Sequence, residues 1–357
     1  MRAPMFTATG IGSMPFADPE YALNLVFRHF PEAPFWPQLP RLGVREDMIA
    51  QYSEGMPGAI INEDKRKTMI DTSRDLTEEL EAFYQDYMDV MGQASKTAAW
   101  DRFALSSEFS KGIDAFERAL ANRPKLPFVK VQTTGPCTFA LSCQDAEGLP
   151  VYYREELRDV VTKTLALKSR WQIRRFRRYA EDVICFVDEP ALSAFGSASY
   201  IGVKREDVVE MLREVVSSIQ AEGAFAGMHC CGNTDWSIPI DAGVDILNFD
   251  AFAYGETIAR YGASLRTHFD RGGVVAWGIV PTTEAIRTET VESLAGRLDR
   301  MMALVAKKGF DPEGLARQAM ITPSCGVGFM EAGDAEQVFS LTSSLSSFLR
   351  DRHGWTK

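Results

Sequence analysis

The sequence predicts an α/β protein built as a (β/α)8 TIM barrel in a single domain. Two observations indicate this fold. Eight short apolar segments each end in a polar or glycine-containing turn, and helical stretches alternate with them. The segments are rich in β-branched and aromatic residues, which is typical of strands buried on both faces. These predicted strands are residues 6–13, 35–39, 128–134, 183–188, 224–231, 244–250, 274–280 and 319–324.

Amphipathic helical patterns lie between the predicted strands. Residues 75–91 place apolar side chains three and four positions apart, as a helix with one buried face requires. The same spacing is found in residues 155–179, 205–221, 291–308 and 335–350. Because eight strand–helix units form a closed barrel, we prefer a barrel to a doubly wound open sheet. Residues 40–127 are too long for one crossover and predict a helical insertion, and without a linker we treat residues 1–357 as one domain.

The composition excludes several classes of protein. The chain has 357 residues, of which 45% are hydrophobic and 25% charged, as in an ordinary globular protein. Its net charge of −10 argues against a nucleic-acid partner. No segment approaches the roughly 18 apolar residues of a membrane span, and no secretory signal is recognisable. We therefore expect a cytoplasmic protein, and the 6 cysteines are too few for a disulfide scaffold.

A His-x-Cys pair at the end of the fifth predicted strand is the strongest local signal. On a strand, His229 and Cys231 point to one side and Cys230 points to the other. Cys325 follows the eighth strand, and the strand ends of a barrel converge on one face. One imidazole and two thiolates form a zinc ligand set, to which Asp250 could add an oxygen. The alternative is that these cysteines are core residues, as buried free cysteines usually are.

Polar groups at the ends of two further strands are candidate substrate contacts. Asp188 and Glu189 end the fourth strand, where barrel enzymes place catalytic residues, and such carboxylates bind ammonium groups or transfer protons. The alternative is that Asp188 caps a turn and Glu189 begins a helix. Ile11, Gly12 and Ser13 follow the first strand. Their backbone N–H groups could bind an anion such as a carboxylate, or they could form a plain turn.

Five motifs occur in a specific order that covers nearly the whole chain. They are GIGSMP at residues 10–15, TGP at 134–136, DEPA at 188–191, His229-x-Cys231 and Cys325-Gly326. In this order they resemble the C-terminal catalytic barrel of cobalamin-independent methionine synthase. The wider superfamily includes uroporphyrinogen decarboxylase and the zinc-dependent corrinoid:thiol methyltransferases.

The resemblance implies an enzyme that methylates a zinc-bound thiol, homocysteine in methionine synthase. It assigns the zinc ligands to His229, Cys231 and Cys325. Asp250 stands where the family has a ligating Glu and is one methylene shorter. The backbone of residues 11–13 is expected to bind the carboxylate of homocysteine and Asp188 its ammonium group.

The chain departs from methionine synthase in three places. It shows one barrel rather than two, and Val280 stands where the family has a proton-donating His. No acidic residue near Leu42 matches a homocysteine-contacting Glu. These departures favour a methylcorrinoid donor, free or on a partner protein, over 5-methyltetrahydrofolate. Three alternatives stay open: coenzyme M or another small thiol as acceptor, a metal-free decarboxylase of the uroporphyrinogen type, and a non-enzymatic zinc or corrinoid carrier.

Overall fold

A curled sheet of parallel strands is the frame of this computed structural model, which describes residues 3–92 and 97–355. The strands within those residues are β1 Thr7–Ala8, β2 Ala59–Asn62, β3 Lys67–Ile70, β4 Leu126–Thr134, β5 Ala180–Asp188, β6 Phe225–Cys230, β7 Ile246–Phe249, β8 Val274–Val280 and β9 Ala319–Pro323. A 7-stranded sheet has the order β1-β9-β8-β7-β6-β5-β4, and all its pairs are parallel. The predicted α/β class and parallel arrangement are therefore confirmed.

Helices surround the sheet. In the described ranges they are α1 Pro19–His29, α2 Ala50–Ser53, α3 Thr77–Met91, α4 Thr97–Asp101, α5 Lys111–Ala121, α6 Pro136–Ser142, α7 Glu155–Phe176, α8 Arg205–Ala221, α9 Ser237–Ala242, α10 Ala251–Tyr254, α11 Gly262–Asp270, α12 Val291–Ala306, α13 Pro312–Arg317 and α14 Ala332–Arg352. The five predicted helices correspond to α3, α7, α8, α12 and α14. Every residue of β8 and β9 is buried, as expected for strands covered on both faces. Among these helices, none is long and apolar enough to cross a membrane.

The sheet does not close into the continuous eight-stranded barrel predicted from the sequence. Residues 35–39, the predicted second strand, form no strand, and the prediction is wrong at this position. Residues 35–38, which we call the seam, instead lie between β1 and β4. The seam makes only isolated parallel bridges, which join Phe35 to Lys130 and Gln38 to Ser13. Pro34 and Pro37 explain the interruption, because proline has no N–H to donate to a ladder.

Residues 40–127, where the sequence predicts a helical insertion, contain several helices and a hairpin that was not predicted. Helices α2 to α5 lie in this stretch, and β2 pairs with β3 in antiparallel fashion. Each hairpin strand has only 4 residues, too few to stand out as a pattern in the sequence. Met69 of the hairpin bridges to Gln144, which follows β4 and α6. The insertion therefore contacts the face where the strands of the sheet end.

One row of residues crosses the sheet near the carboxyl ends of its strands. The Cα pairs join Thr134 to Asp188, Asp188 to His229, His229 to Asn248 and Asn248 to Ala276. Residues paired across parallel strands point to the same face. The row therefore forms a single surface, and it contains two of the residues that the sequence marks as functional.

Candidate metal centre

Three of the four predicted metal ligands lie together at the carboxyl edge of the sheet. His229 is the penultimate residue of β6, Cys231 directly follows β6, and Cys325 follows β9. One ligand atom from each residue lies within 4.8 Å of the other two. Two strands separate β6 from β9 in the sheet, so the curl of the sheet brings Cys325 to the His-x-Cys pair.

Asn248 determines which nitrogen of His229 faces the sulfur atoms. Asn248 Nδ2 donates to the Ala276 carbonyl oxygen at 2.8 Å and to Thr322 Oγ1 at 2.8 Å. Because a carbonyl oxygen can only accept a hydrogen bond, the NH2 group of Asn248 must face Ala276, and Oδ1 must then face His229. Oδ1 lies 2.6 Å from His229 Nδ1, which therefore carries the proton. Nε2 keeps a free lone pair, is buried, and has no hydrogen-bond partner among the described residues.

The two ligand thiols differ in how readily they ionise. Contact with the Cys325 thiol, followed by that with the His229 imidazole, lowers the pKa of Cys231. The same contact, together with burial, raises the pKa of Cys325. Cys231 is therefore ionised first and offers a thiolate to a metal ion. Cys230 lies in the core, where burial raises its pKa to about 12 and keeps it a thiol.

Asp250, the predicted fourth ligand, is not part of the ligand group found in the described residues. Its Oδ1 instead accepts a 2.8 Å hydrogen bond from the Ala253 N–H at the start of α10. Burial raises the pKa of Asp250, and the charge of Cys231 adds to this effect. A group of three protein ligands leaves one position of a tetrahedral ion open, which is the arrangement of catalytic zinc sites.

Asp188 stands beside the ligand group with an unused oxygen atom. Its Cα pairs with that of His229 across the sheet. Burial raises the pKa of Asp188 to about 6, although the charge of Lys130 opposes the shift. Oδ1 is buried and has no hydrogen-bond partner in the part of the chain that the structure describes. Such an oxygen is suited to accept a hydrogen bond from the ammonium group of a ligand.

Glu189 is engaged with the amino end of α6. Its Oε1 accepts from the Cys137 N–H at 2.9 Å, and its Oε2 accepts from the Thr138 N–H at 2.7 Å and from Thr138 Oγ1 at 2.6 Å. Burial raises the pKa of Glu189 to about 7, and these hydrogen bonds oppose the shift. A Cβ on Gly135 would lie 2.1 Å from Glu189 Cδ, so the carboxylate needs glycine at that position. The contacts assign Glu189 a role in holding α6 against the end of β5.

The predicted anion-binding residues 11–13, which we call the Gly12 loop, pack against the residue that follows the third ligand. A Cβ on Gly326 would lie 2.1 Å from Ser13 Oγ, so the two segments are in close contact. Gly12 has a φ of 153°, and a Cβ there would lie 2.7 Å from Gln132 Nε2. Within the described ranges, the N–H groups of Gly12 and Ser13 donate to no acceptor. The loop therefore presents free donors next to the ligand group.

Two buried polar residues of the site were missed by the sequence reasoning. Lys130 in β4 and Asn248 in β7 are both 0% exposed. The available signal was a polar residue between two apolar neighbours in a predicted strand, and lysine in particular is almost never fully buried without a partner. Lys130 Nζ donates to the Ile11 carbonyl oxygen and, at 3.2 Å, to Gln132 Oε1. Lys130 therefore supports the Gly12 loop from below.

Comparison with known proteins is informative at the level of the fold. No protein-family model and no curated protein matches the chain. A solved methyltransferase from Methanosarcina mazei is similar over 96% of this chain and 94% of its own, with 14% identity and a TM-score of 0.53. ZgEngAGH5_4 in complex with a cellotriose is similar over 67% of this chain and 78% of its own, with 12% identity and a TM-score of 0.37, and we base no conclusion on it. The chain thus shares its fold with a methyltransferase.

Proposed function

We propose that this protein is a zinc-dependent methyltransferase whose acceptor is a thiol, homocysteine in the simplest case, with methionine as product. The observation that carries the proposal is the group of His229, Cys231 and Cys325, in which Nε2 has no hydrogen-bond partner among the residues that the structure describes. One imidazole and two thiolates suit zinc, and the open fourth position suits a substrate sulfur atom. The resemblance of the motifs to methionine synthase and the fold shared with a methyltransferase support the same reaction.

Each part of the site has its own role in this proposal. His229, Cys231 and Cys325 hold the ion, and Asn248 orients the imidazole. When bound, zinc lowers the pKa of a coordinated thiol, so that the thiolate forms at neutral pH. Asp188 accepts a hydrogen bond from the ammonium group of homocysteine, and the Gly12 loop donates to its carboxylate. Glu189 keeps Asp188 in place through its bonds to α6.

The reaction moves one methyl group. A sulfur–carbon bond forms, the bond between the methyl group and its donor breaks, and the thiol proton is released to solvent. The donor in this proposal is a methylcorrinoid, free or carried by a partner protein, with 5-methyltetrahydrofolate as the second choice. Val280, at the end of β8 and fully buried, cannot donate a proton to a folate leaving group. A corrinoid leaving group needs no protonation, which is why we place it first.

Metal content tests the central observation. Protein purified under reducing conditions should contain about one zinc ion per chain, as measured by plasma mass spectrometry. The double variant Cys231→Ser/Cys325→Ser should contain none. A matched control, Cys185→Ala/Cys230→Ala, removes two buried cysteines outside the ligand group and should keep the zinc. Zinc retained by the first variant, or absent from the wild type after reconstitution, would contradict the proposal.

Methyl transfer then tests the reaction itself. Zinc-loaded protein is incubated with methylcobalamin or 5-methyltetrahydrofolate and with homocysteine or coenzyme M, and the products are identified by mass spectrometry. Methionine formation supports the proposal, and the donor that gives it identifies the methyl source. Methylation of coenzyme M alone would keep the chemistry and replace the acceptor. A zinc protein that transfers no methyl group between any of these pairs would be a carrier, and the proposal would be wrong.

A further inference from the structure

A fully buried lysine lies beneath the Gly12 loop. Lys130 is 0% exposed, and its Nζ is 4.8 Å from the centroid of the Phe186 ring and 5.7 Å from that of Phe35. Burial lowers the pKa of Lys130 to about 8, while the charge of Asp188 favours the protonated form. Taking an ammonium group out of water is costly unless it is well paired. The side chain is therefore held in an unfavourable environment by specific contacts, which points to a role beyond packing.

The contacts of Lys130 are directed at one peptide of the Gly12 loop. Nζ donates to the Ile11 carbonyl oxygen and also to Gln132 Oε1. The C=O and the following N–H of a trans peptide point in opposite directions. With the Ile11 carbonyl held by Lys130, the N–H of Gly12 must point away from the lysine. A hydrogen bond from an ammonium group to the carbonyl also polarises that peptide, which makes its N–H a stronger donor.

Two further observations place this donor where a ligand would lie. The N–H groups of Gly12 and Ser13 have no acceptor within the described ranges, and Ser13 touches the residue after Cys325. Asp188, whose charge interacts with that of Lys130, has a buried oxygen that no described residue contacts by a hydrogen bond. The site thus offers free donors backed by a positive charge on one side and a free carboxylate oxygen on the other. This arrangement is complementary to an α-amino acid group.

We propose that Lys130 is a positioning residue that makes the site selective for thiols bearing a carboxylate. This inference rests on the proposed thiol acceptor and goes beyond it by assigning the selectivity to a residue that cannot itself reach solvent. Lys130 acts through the Ile11–Gly12 peptide, which it orients and polarises. Removing its charge should weaken the binding of the carboxylate and leave the metal ligands in place.

Two thiols of equal chain length separate this role from a merely structural one. Homocysteine carries a carboxylate, and 3-aminopropane-1-thiol is the same molecule without it. Binding of each to zinc-loaded protein is measured by calorimetry for the wild type and for Lys130→Met, whose unbranched side chain is one atom shorter and carries no charge. Lys168→Met is the matched control, because Lys168 is also 0% exposed and its Nζ donates to one backbone carbonyl, that of Ala104, in the insertion.

In Lys130→Met we expect the Kd of homocysteine to rise about 10- to 100-fold, the loss of a charge-assisted contact, while that of the aminothiol changes less than about twofold. Zinc content should stay at the wild-type value. Lys168→Met should lower the unfolding temperature without changing either Kd. Should Lys130→Met fail to fold, Lys130→Gln removes the same charge while keeping a donor, and the same loss of selectivity is expected.

The failures of the two proposals are distinguishable. A folded Lys130→Met protein with wild-type Kd values for both thiols would overturn the role of Lys130 and leave the methyltransferase proposal intact. Equal loss of affinity for both thiols would also overturn it, because a general disturbance of the site would then explain the result. A wild-type protein that binds zinc but neither thiol would overturn both the thiol acceptor and the selectivity built on it.

Discussion

Replacement of Asn248 by alanine should weaken zinc binding without removing any ligand. The variant loses the 2.6 Å contact between Asn248 Oδ1 and His229 Nδ1, which leaves a buried N–H without an acceptor. The metal-free protein can relieve this by moving the proton to Nε2, whereas the metal-bound protein cannot, because Nε2 is then a ligand. The penalty therefore falls on the bound state. One unsatisfied buried donor costs about 1–3 kcal/mol, which corresponds to about a 5- to 150-fold increase in the zinc Kd.

The Kd is measured by competition with a chromophoric chelator, at a temperature where circular dichroism shows the variant to be folded. This control matters because Asn248 also donates to Ala276 and Thr322, so that the variant will be less stable. Asn233→Ala serves as the matched variant, since Asn233 follows β6, the strand of His229, and its side chain accepts an exposed hydrogen bond from Thr257. A folded Asn248→Ala protein that binds zinc within twofold of the wild type would refute the argument about the histidine tautomer.

Three further substitutions test other parts of the structure. Asp188→Asn should weaken homocysteine binding, measured by calorimetry, about 10-fold or more, because it removes the charge that faces the ammonium group. 4-Mercaptobutyrate has no ammonium group and should bind the variant as tightly as the wild type. Equal losses of affinity for both ligands would contradict the assignment. Gly135→Ala should lower the free energy of unfolding by about 1–3 kcal/mol in denaturant titrations, because the added Cβ would lie 2.1 Å from Glu189 Cδ. Gly333→Ala is the control, because a Cβ at that position would meet nothing within 4 Å. Burial raises the pKa of Glu46 from 4.5 to about 7, so the folded state binds the carboxyl proton more tightly than the unfolded state does. The resulting stabilisation of the fold is present below pH 4.5 and is lost as the pH rises through about 7. Glu46→Gln should therefore gain stability relative to the wild type between pH 5 and pH 8, by up to about 3 kcal/mol, and a pH-independent difference would count against this reasoning.

The parts of the site that depend on local spacing could be predicted from the sequence. His229 and Cys231 share a face because alternate residues of any strand do, and no distant contact is needed to know it. Cys325 could be added because parallel strands end at one edge of a sheet. The position of Asp250 depended instead on a backbone detail, the start of α10, where the N–H of Ala253 takes up its carboxylate.

Other features depend on contacts that the sequence does not encode locally. Lys130 contacts Ile11 and Asn248 contacts Thr322, and both of these partners lie far away in the chain. The seam was predicted as a strand because its apolar residues are typical of one, although its prolines remove the donors that a ladder needs. The pairing of the hairpin strands was equally hidden, because each strand has only 4 residues.

The seam has a consequence for how the wall of the sheet is held together. Between β1 and β4, side chains supplement the few backbone hydrogen bonds of the interrupted ladder: Thr9 Oγ1 donates to the Ala33 carbonyl oxygen at 2.7 Å, and Gln132 Nε2 to that of Trp36 at 3.0 Å. Gln132 also packs under the Gly12 loop and accepts from Lys130. The side chains that join β1 to β4 at the seam therefore include those to which we assign the selectivity for the ligand. Mutations that weaken the contacts between the seam and β4 should reduce the selectivity for the ligand while the seven-stranded sheet is still intact. Faster amide hydrogen exchange in the seam should accompany that loss of selectivity.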